Sequence, residues 1–263
     1  MSEHRSPTLC YTSSMLSFHD VTVRLGGRTL LKGCSFAIAP EECVCITGPS
    51  GSGKTTMLNL LIGATPATAG KISIDDIPLA SMPPEALQLY RSSLGVVFQS
   101  NQLLSAATVI ENMCMQQEFQ GKERDSAERE AKALLERLDL WNVHSALPAW
   151  LSPGQQKLLS IARAFMGSPL ILLADEPLSG LDMEQTSLAL EMLREAQIQR
   201  KTLILFSAHP EQFSILHPRI INLLQAPTAT QRSQSHSPPN QATENMKPLV
   251  HHPARVKITA LGG

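Results

Sequence analysis

Several things are scarce in this chain. No cysteines stand in a Cys-x-x-Cys spacing, charged residues make up 17% of the chain against a usual ~25%, and neither sign prevails, with 22 Lys+Arg against 23 Asp+Glu. The five cysteines, Cys10, Cys34, Cys43, Cys45 and Cys114, are odd in number and scattered, which argues against a disulfide or zinc framework and fits a reducing compartment. A net charge of −1 argues against a chain built to bind nucleic acid or an anionic membrane surface. The longest apolar stretches are broken by Arg163 or run into Asp175, so none reaches the ~18 uncharged residues of a membrane span. Residues 1–14 are polar and hold no apolar core of a signal peptide. Met15 opens the first strand-like stretch, so the expectation is that the true start lies there and residues 1–14 form a loose arm. What is present is a 43% hydrophobic share in 263 residues, enough for one large α/β domain or two modest ones at roughly 100–200 residues each.

Local patterning predicts strands first. Leu16 to Phe18, Val21 to Val23, Leu30 to Ile38 and Cys43 to Thr47 alternate or are β-branched, with Gly26-Gly27 as a turn. Cys43 and Cys45 share one strand face and read as small buried hydrophobes. Thr56 to Ile62 reads as a helix, and short strands follow at Ile72 to Ile74 and Gly95 to Phe98. Residues 101–150 turn polar, charged and helical, with Ser126 to Leu138 clearly amphipathic. Beyond residue 169 the pattern alternates: Leu170 to Ala174, Glu184 to Gln199, Thr202 to Phe206, Glu211 to Leu216, Arg219 to Leu223. Such alternation predicts βαβ units around a mainly parallel sheet. Residues 226–263, rich in Pro, Ser, Gln, Thr and Asn, are expected to be a disordered tail, and His251-His252 within it a solvated pair rather than a metal tract.

The strongest chemical signal is Gly48-Pro49-Ser50-Gly51-Ser52-Gly53-Lys54-Thr55-Thr56, a P-loop spacing between a strand and a helix. Glycines let the backbone curl with its N–H groups turned inward around phosphate, and the helix N-terminus adds its dipole and free donors. Lys54 would bring a cation to the terminal phosphates, and the Thr55 hydroxyl would ligate Mg²⁺. The second signal is Leu170 to Ala174 ending in Asp175-Glu176. An apolar strand that delivers two acids at its C-terminal tip puts them where ligands bind in open α/β sheets. Asp175 can then reach the Mg²⁺ shell, and Glu176 can orient or deprotonate a water.

With those motifs in hand, residues 15–225 resemble the ATP-binding domains of ABC transporters, with residues 1–14 and 226–263 as flanking segments. Gln99, after Gly95-Val96-Val97-Phe98, resembles the family's Q-loop glutamine. Leu151-Ser152-Pro153-Gly154-Gln155 resembles its signature, usually Leu-Ser-Gly-Gly-Gln. Ser179-Gly180-Leu181-Asp182 is similar to the D-loop, and His209 to the switch histidine. Leu103-Leu104, Thr108 to Asn112 and Leu172 to Pro177 look like the group that holds cell-division, lipoprotein-release and macrolide-export type ATPases. The resemblance implies a P-loop NTPase core with a mainly parallel sheet, an N-terminal antiparallel β subdomain, and an inserted α-helical subdomain at about 101–168 that abuts a permease. It implies a homodimer or pseudo-dimer that closes on two ATP with Mg²⁺, each ATP lying on one subunit's P-loop and against the other's Ser152, Gly154, Gln155 and Asp182. Glu176, His209 and Gln99 are then the catalytic candidates, and Thr55, Gln99 and Asp175 the Mg²⁺ ligands. It further implies a cytoplasmic protein, peripheral on the inner face of the cell membrane through its permease.

The family pattern is broken in four places. Pro153 replaces a signature Gly, though Pro suits the first helical position after an N-cap such as Ser152. Lys157 and Leu158 stand where Gln and Arg are common, which should thin the polar network behind the signature. Leu25 falls where an aromatic usually stacks on adenine, and Pro210 follows His209 where Asp is common. All lie around closure rather than at Lys54, Asp175, Glu176 or His209, so the expectation is an active but slow ATPase. The alternative is a nucleotide-gated module that regulates a membrane partner with little hydrolysis. A soluble member acting on ribosomes or DNA would need paired domains or coiled coils that the chain does not have.

Overall fold

The computed structural model describes residues 15–223. The expected arm, the tail and His251-His252 lie outside the described residues. Strands β1 (Leu16–Leu25) and β2 (Arg28–Ile38) form a hairpin. Gly26 and Gly27 make its two-residue turn with φ of 54° and 77°, the pair of positive values such a turn demands. Then follow β3 (Cys43–Thr47), α1 (Lys54–Leu61), β4 (Ala69–Ile74), β5 (Ile77–Pro78), α2 (Pro84–Ser92) and β6 (Leu94–Val97). Helices α3 (Val109–Phe119), α4 (Arg124–Arg137) and α5 (Pro153–Phe165) come next. The chain closes with β7 (Ile171–Asp175), α6 (Met183–Ile198), β8 (Thr202–Ser207), a 3-10 turn over Pro210–Leu216, and β9 (Arg219–Asn222).

Two sheets result. The antiparallel one runs β2-β1-β4-β5, the parallel one β6-β7-β8-β3-β9. Every residue of β3, β7 and β8 is buried, which is why these strands read as continuous apolar runs rather than alternations. The pleat splits β3 between two cores. Val44 and Ile46 join α1 and the antiparallel sheet, whereas Cys43 and Cys45 join α3 to α6. Burial pushes the Cys43 and Cys45 thiols up to about 12, so both stay protonated and inert at neutral pH. Helices α3, α4 and α5 pack on one another beside the parallel sheet.

The pattern differs from expectation in four places. Helix α2 was not expected; Pro84 at its first position starts it. Residues 101–150 are helical only in α3, α4 and two short 3-10 turns, because Asn101 and Gln102 adopt left-handed backbone (φ 55° and 47°) and the chain loops until the Thr108 cap. Helix α1 starts at Lys54, two residues early. The segment after His209 is 3-10 rather than α, opened by Pro210.

Candidate nucleotide site

The cleft forms where β3 turns into α1. Gly53 caps α1 with φ 96°, and a Cβ there would lie 2.8 Å from Leu31 Cδ2 and 3.0 Å from the Leu30 carbonyl, so only glycine closes this turn. The cap carries no side-chain hydrogen bond and the first turn holds no acid, which leaves the leading N–H groups of α1 directed at the cleft with their partial positive charge. Lys54 is buried, its Nζ donating to the carbonyls of Gly48 (2.8 Å) and Pro49 (3.3 Å) and standing 3.7 Å from Glu176 Oε1.

Strand β7 brings the acids. Asp175 is 1% exposed; its Oδ2 accepts from the Thr55 hydroxyl at 2.6 Å, while Oδ1 is buried without a partner. Burial raises the Asp175 pKa above the usual carboxylate value, partly offset by the Thr55 bond. Glu176 leaves the strand with φ 46°, a left-handed conformation that a non-glycine residue adopts only when its surroundings hold it there. They do: Glu176 N donates to Phe206 O at 2.9 Å, Oε2 accepts from Ser207 Oγ at 3.0 Å, and Oε1 accepts from Ala208 N at 2.9 Å.

Leu30, Ser50, Gly51, Gly53, Lys54, Thr55, Thr56, Gln99, Asp175, Glu176 and Ala208 line a cleft of about 250 Å³. Pro49, Gly48 and Ser52 stand beside it; the Ser52 Oγ is buried, unpartnered, and 2.6 Å from where a Gly48 Cβ would sit. The ring of His209 is exposed and outside that lining, its Nδ1 3.2 Å from Glu211 Oε1. The signature residues lie apart from the cleft. Ser152 caps α5 in a reciprocal capping box with Gln155, and Pro153 occupies the first helical position. Gly154 lies against Gln185 of α6, whose Oε1 would be 2.1 Å from an added Cβ. Asp182 caps α6, its Oδ1 accepting from Gln185 N at 2.8 Å. Leu25 is 66% exposed and does not line the cleft.

Position 157 corrects one expectation. Lys157 does not thin the polar network: it is buried and donates to the carbonyls of Phe98 (3.3 Å) and Gln99 (3.0 Å), while Leu158 fills apolar core. Sequence reasoning also passed over Ser207 and Ala208 as holders of Glu176; the only signal was their position next to His209.

Among the described residues no group of three or more His, Cys, Asp or Glu could hold a metal by itself. The unpartnered Asp175 Oδ1 beside the Thr55 hydroxyl nevertheless fits one hard cation that takes its remaining oxygens from phosphate, as Mg²⁺ does.

A strand–glycine turn–helix facing an acid-tipped parallel strand defines a P-loop nucleotide-binding domain. Its family follows from likeness: the profile of the ABC transporter family matches residues 31–179, and the chain belongs to that family. The cell division ATP-binding protein FtsE of Streptococcus pneumoniae serotype 2 (strain D39) is 31% identical over 209 residues, covering 79% of this chain and 91% of FtsE. The methionine import ATP-binding protein MetN of Rhizobium meliloti is 35% identical over 181 residues, 69% of this chain; the chain spans about half of MetN (51%). Among solved structures, the dimeric bacterial ABC transporter cassette MJ0796 superposes with a TM-score of 0.73 at 29% identity, covering 79% of this chain and 94% of that one. A post-hydrolysis MJ0796 dimer bound to ADP and Pi matches with the same TM-score at 30% identity. Among the described residues no helix is long and apolar enough to cross a membrane.

Proposed function

We propose that this chain is the ATP-hydrolysing subunit of a membrane transporter or envelope complex, acting as a homodimer or pseudo-dimer on a separate permease, on the cytoplasmic face of the membrane. The observation that carries the reading is the convergence of Lys54, the Thr55–Asp175 pair and Glu176 on one cleft at a helix N-terminus. The N–H groups of α1 and the Lys54 ammonium bind and orient the phosphates of ATP. Thr55, Asp175 and Gln99 would hold Mg²⁺, which supplies charge neutralisation on the phosphate oxygens. Glu176, fixed by Ser207 and Ala208, orients the attacking water and takes its proton. Ser152, Gly154, Gln155 and Asp182 lie outside the cleft and would meet the nucleotide of a second subunit, which agrees with the dimeric likeness. His209, also outside the lining, would reach the γ-phosphate on closure. A groove of about 510 Å³ beside β6 and α3, with Phe98, Leu104 and Phe119 on its walls, supports a protein partner at the α-helical subdomain. Phe119 is 81% exposed there, an apolar cost that a partner would relieve.

The test is steady-state ATP turnover with Mg²⁺, measured beside Glu176→Gln. Turnover lost in the variant while ATP binding persists supports the reading. Nucleotide binding without turnover favours the gated module, to which Pro153 lends weight by removing one N–H from the α5 terminus. Tagged Glu176→Gln protein recovered from native membranes with ATP should bring down a multi-spanning protein; bait alone, with and without ATP, would refute the permease reading.

A further inference from the structure

Two cations of α5 grip the loop that carries Gln99. Lys157 Nζ donates to the carbonyls of Phe98 and Gln99, at 3.3 and 3.0 Å. Arg163 donates from Nη2 to Asn101 O at 2.7 Å and from Nη1 to Gln102 O at 2.8 Å. Four carbonyls within five residues thus end on one helix, the helix that Ser152 opens. Between them Asn101 and Gln102 hold left-handed backbone, which persists only where neighbours fix it.

Lys157 is the unexpected member. It is 4% exposed, and an ammonium there sheds most of its hydration. Leu158 beside it is 2% exposed and packs in apolar core, whereas the Lys157 ammonium meets backbone carbonyls. Burying a charge where an apolar side chain would pack costs stability, so a role in core cohesion alone does not account for it. Asp175 and Glu176 face the same ammonium electrostatically and pull its pKa up against the lowering by burial.

We propose that Lys157 is a positioning residue for Gln99: it latches the loop backbone to the signature helix, so that Gln99 reaches the cleft only in register with α5. The proposal rests on the ATPase reading above for its effect on turnover, and on hydrogen-bond geometry alone for the latch. A displaced signature helix would drag Gln99 with it, which makes the glutamine a reporter of that helix's position.

The test uses the full chain as Lys157→Met, Lys157→Gln, Gln99→Ala and the Lys157→Met/Gln99→Ala double variant. Hydrogen exchange of the 98–104 backbone is read without nucleotide, and kcat, KM for ATP and melting temperature are read with Mg²⁺. In Lys157→Met the 98–104 amides should exchange faster and kcat should fall about tenfold or more, the scale expected for a slightly misplaced group, with KM changed less than about twofold. Lys157→Gln, which keeps an uncharged N–H donor group, should fall between and covers the case that the Met variant does not fold. On the Gln99→Ala background Lys157→Met should lower kcat no further, because coupled residues are non-additive. Unchanged exchange, an additive loss in the double variant, or a kcat loss that follows the melting temperature would each overturn the proposal. If wild-type protein turns over no ATP, the ATPase reading fails and the exchange result alone decides the latch.

Discussion

Asn112 offers the sharpest test of the packing around the Gln99 loop. It is 2% exposed on α3, and its amide serves three carbonyls, Leu104 (3.1 Å), Ala107 (3.0 Å) and Thr108 (3.0 Å), while Oδ1 accepts from Leu104 N at 2.8 Å. Thr108 O also receives the helical bond from Asn112 N, so the contacts that matter are those to Leu104 and Ala107. Asn112→Ala removes them and leaves the Leu104 N–H and the Ala107 carbonyl without partners. At about 1 kcal/mol net per bond, with partial water access to this loop, the cost should be about 2–3 kcal/mol. Asn112→Asp keeps the shape and still accepts from Leu104 N, but a carboxylate cannot donate and would face the carbonyls while buried. Its cost at pH 7 should be larger, about 3–5 kcal/mol. The new carboxyl's folded pKa then lies above its unfolded value of about 3.9. Its relative stability is fully present below the unfolded pKa and is lost as pH rises through the folded one, so Asn112→Asp should recover towards acid. Urea unfolding of both variants at pH 7 and pH 5, compared at equal m, measures this. An Asn112→Asp cost below about 1 kcal/mol at pH 7, or smaller than that of Asn112→Ala, would refute the bonding pattern.

Further outcomes follow from the cleft. Burial raises the Asp175 pKa, so its stability contribution is complete below the unfolded carboxylate value and falls as pH rises through the folded one. Without nucleotide, Asp175→Asn should therefore melt above wild type at pH 7 but match it in acid, and with Mg²⁺ and ATP only wild type should gain; thermal melts at both pH values decide. Leu25→Tyr, at the exposed hairpin end, should tighten ATP by about tenfold if a ring there meets adenine, an effect within the ~1–3 kcal/mol of base stacking; calorimetry that finds an unchanged or weaker Kd removes the stacking argument. Trp150 is 83% exposed two residues before Ser152, whereas Trp141 stacks on His144 at 4.2 Å. Closure of Glu176→Gln protein with ATP and Mg²⁺ should blue-shift emission in a Trp141→Phe background; a fixed spectrum while size exclusion reports a dimer would refute signature-to-cleft closure.

Much of the fold was legible because its signals are local. The buried strands announced themselves as apolar runs, the hairpin by Gly26-Gly27, and the P-loop by spacing that only a tight phosphate-sized turn requires. The cap roles of Ser152 and Pro153 could be read from residue types that favour those positions. What escaped depends on contacts between distant segments. Ser207 and Ala208 hold Glu176 across 31 and 32 residues, and no local pattern encodes that. Asn112 showed only as part of a family-like stretch, because its bonds to Leu104 and Ala107 depend on how the loop ahead of α3 folds back.

The pair at 157 and 158 shows why residue type without direction misleads. One step along an α-helix is a turn of about 100°, so neighbouring residues address different surroundings. Comparing the pair with the family's Gln and Arg, a loss of polarity follows for Leu158 and is real, because that side chain packs among apolar neighbours. The positive charge, however, is retained one residue earlier, and there it faces the carbonyls of Phe98 and Gln99. A cation aimed at backbone carbonyls is indifferent to the side chains of its partners, so the latch imposes no sequence requirement on Phe98 or Gln99 and leaves no paired signature to read. The polar network behind the signature is therefore redirected onto the loop that feeds Gln99 to the cleft, and restoring an Arg at position 158 should not compensate for the loss of Lys157.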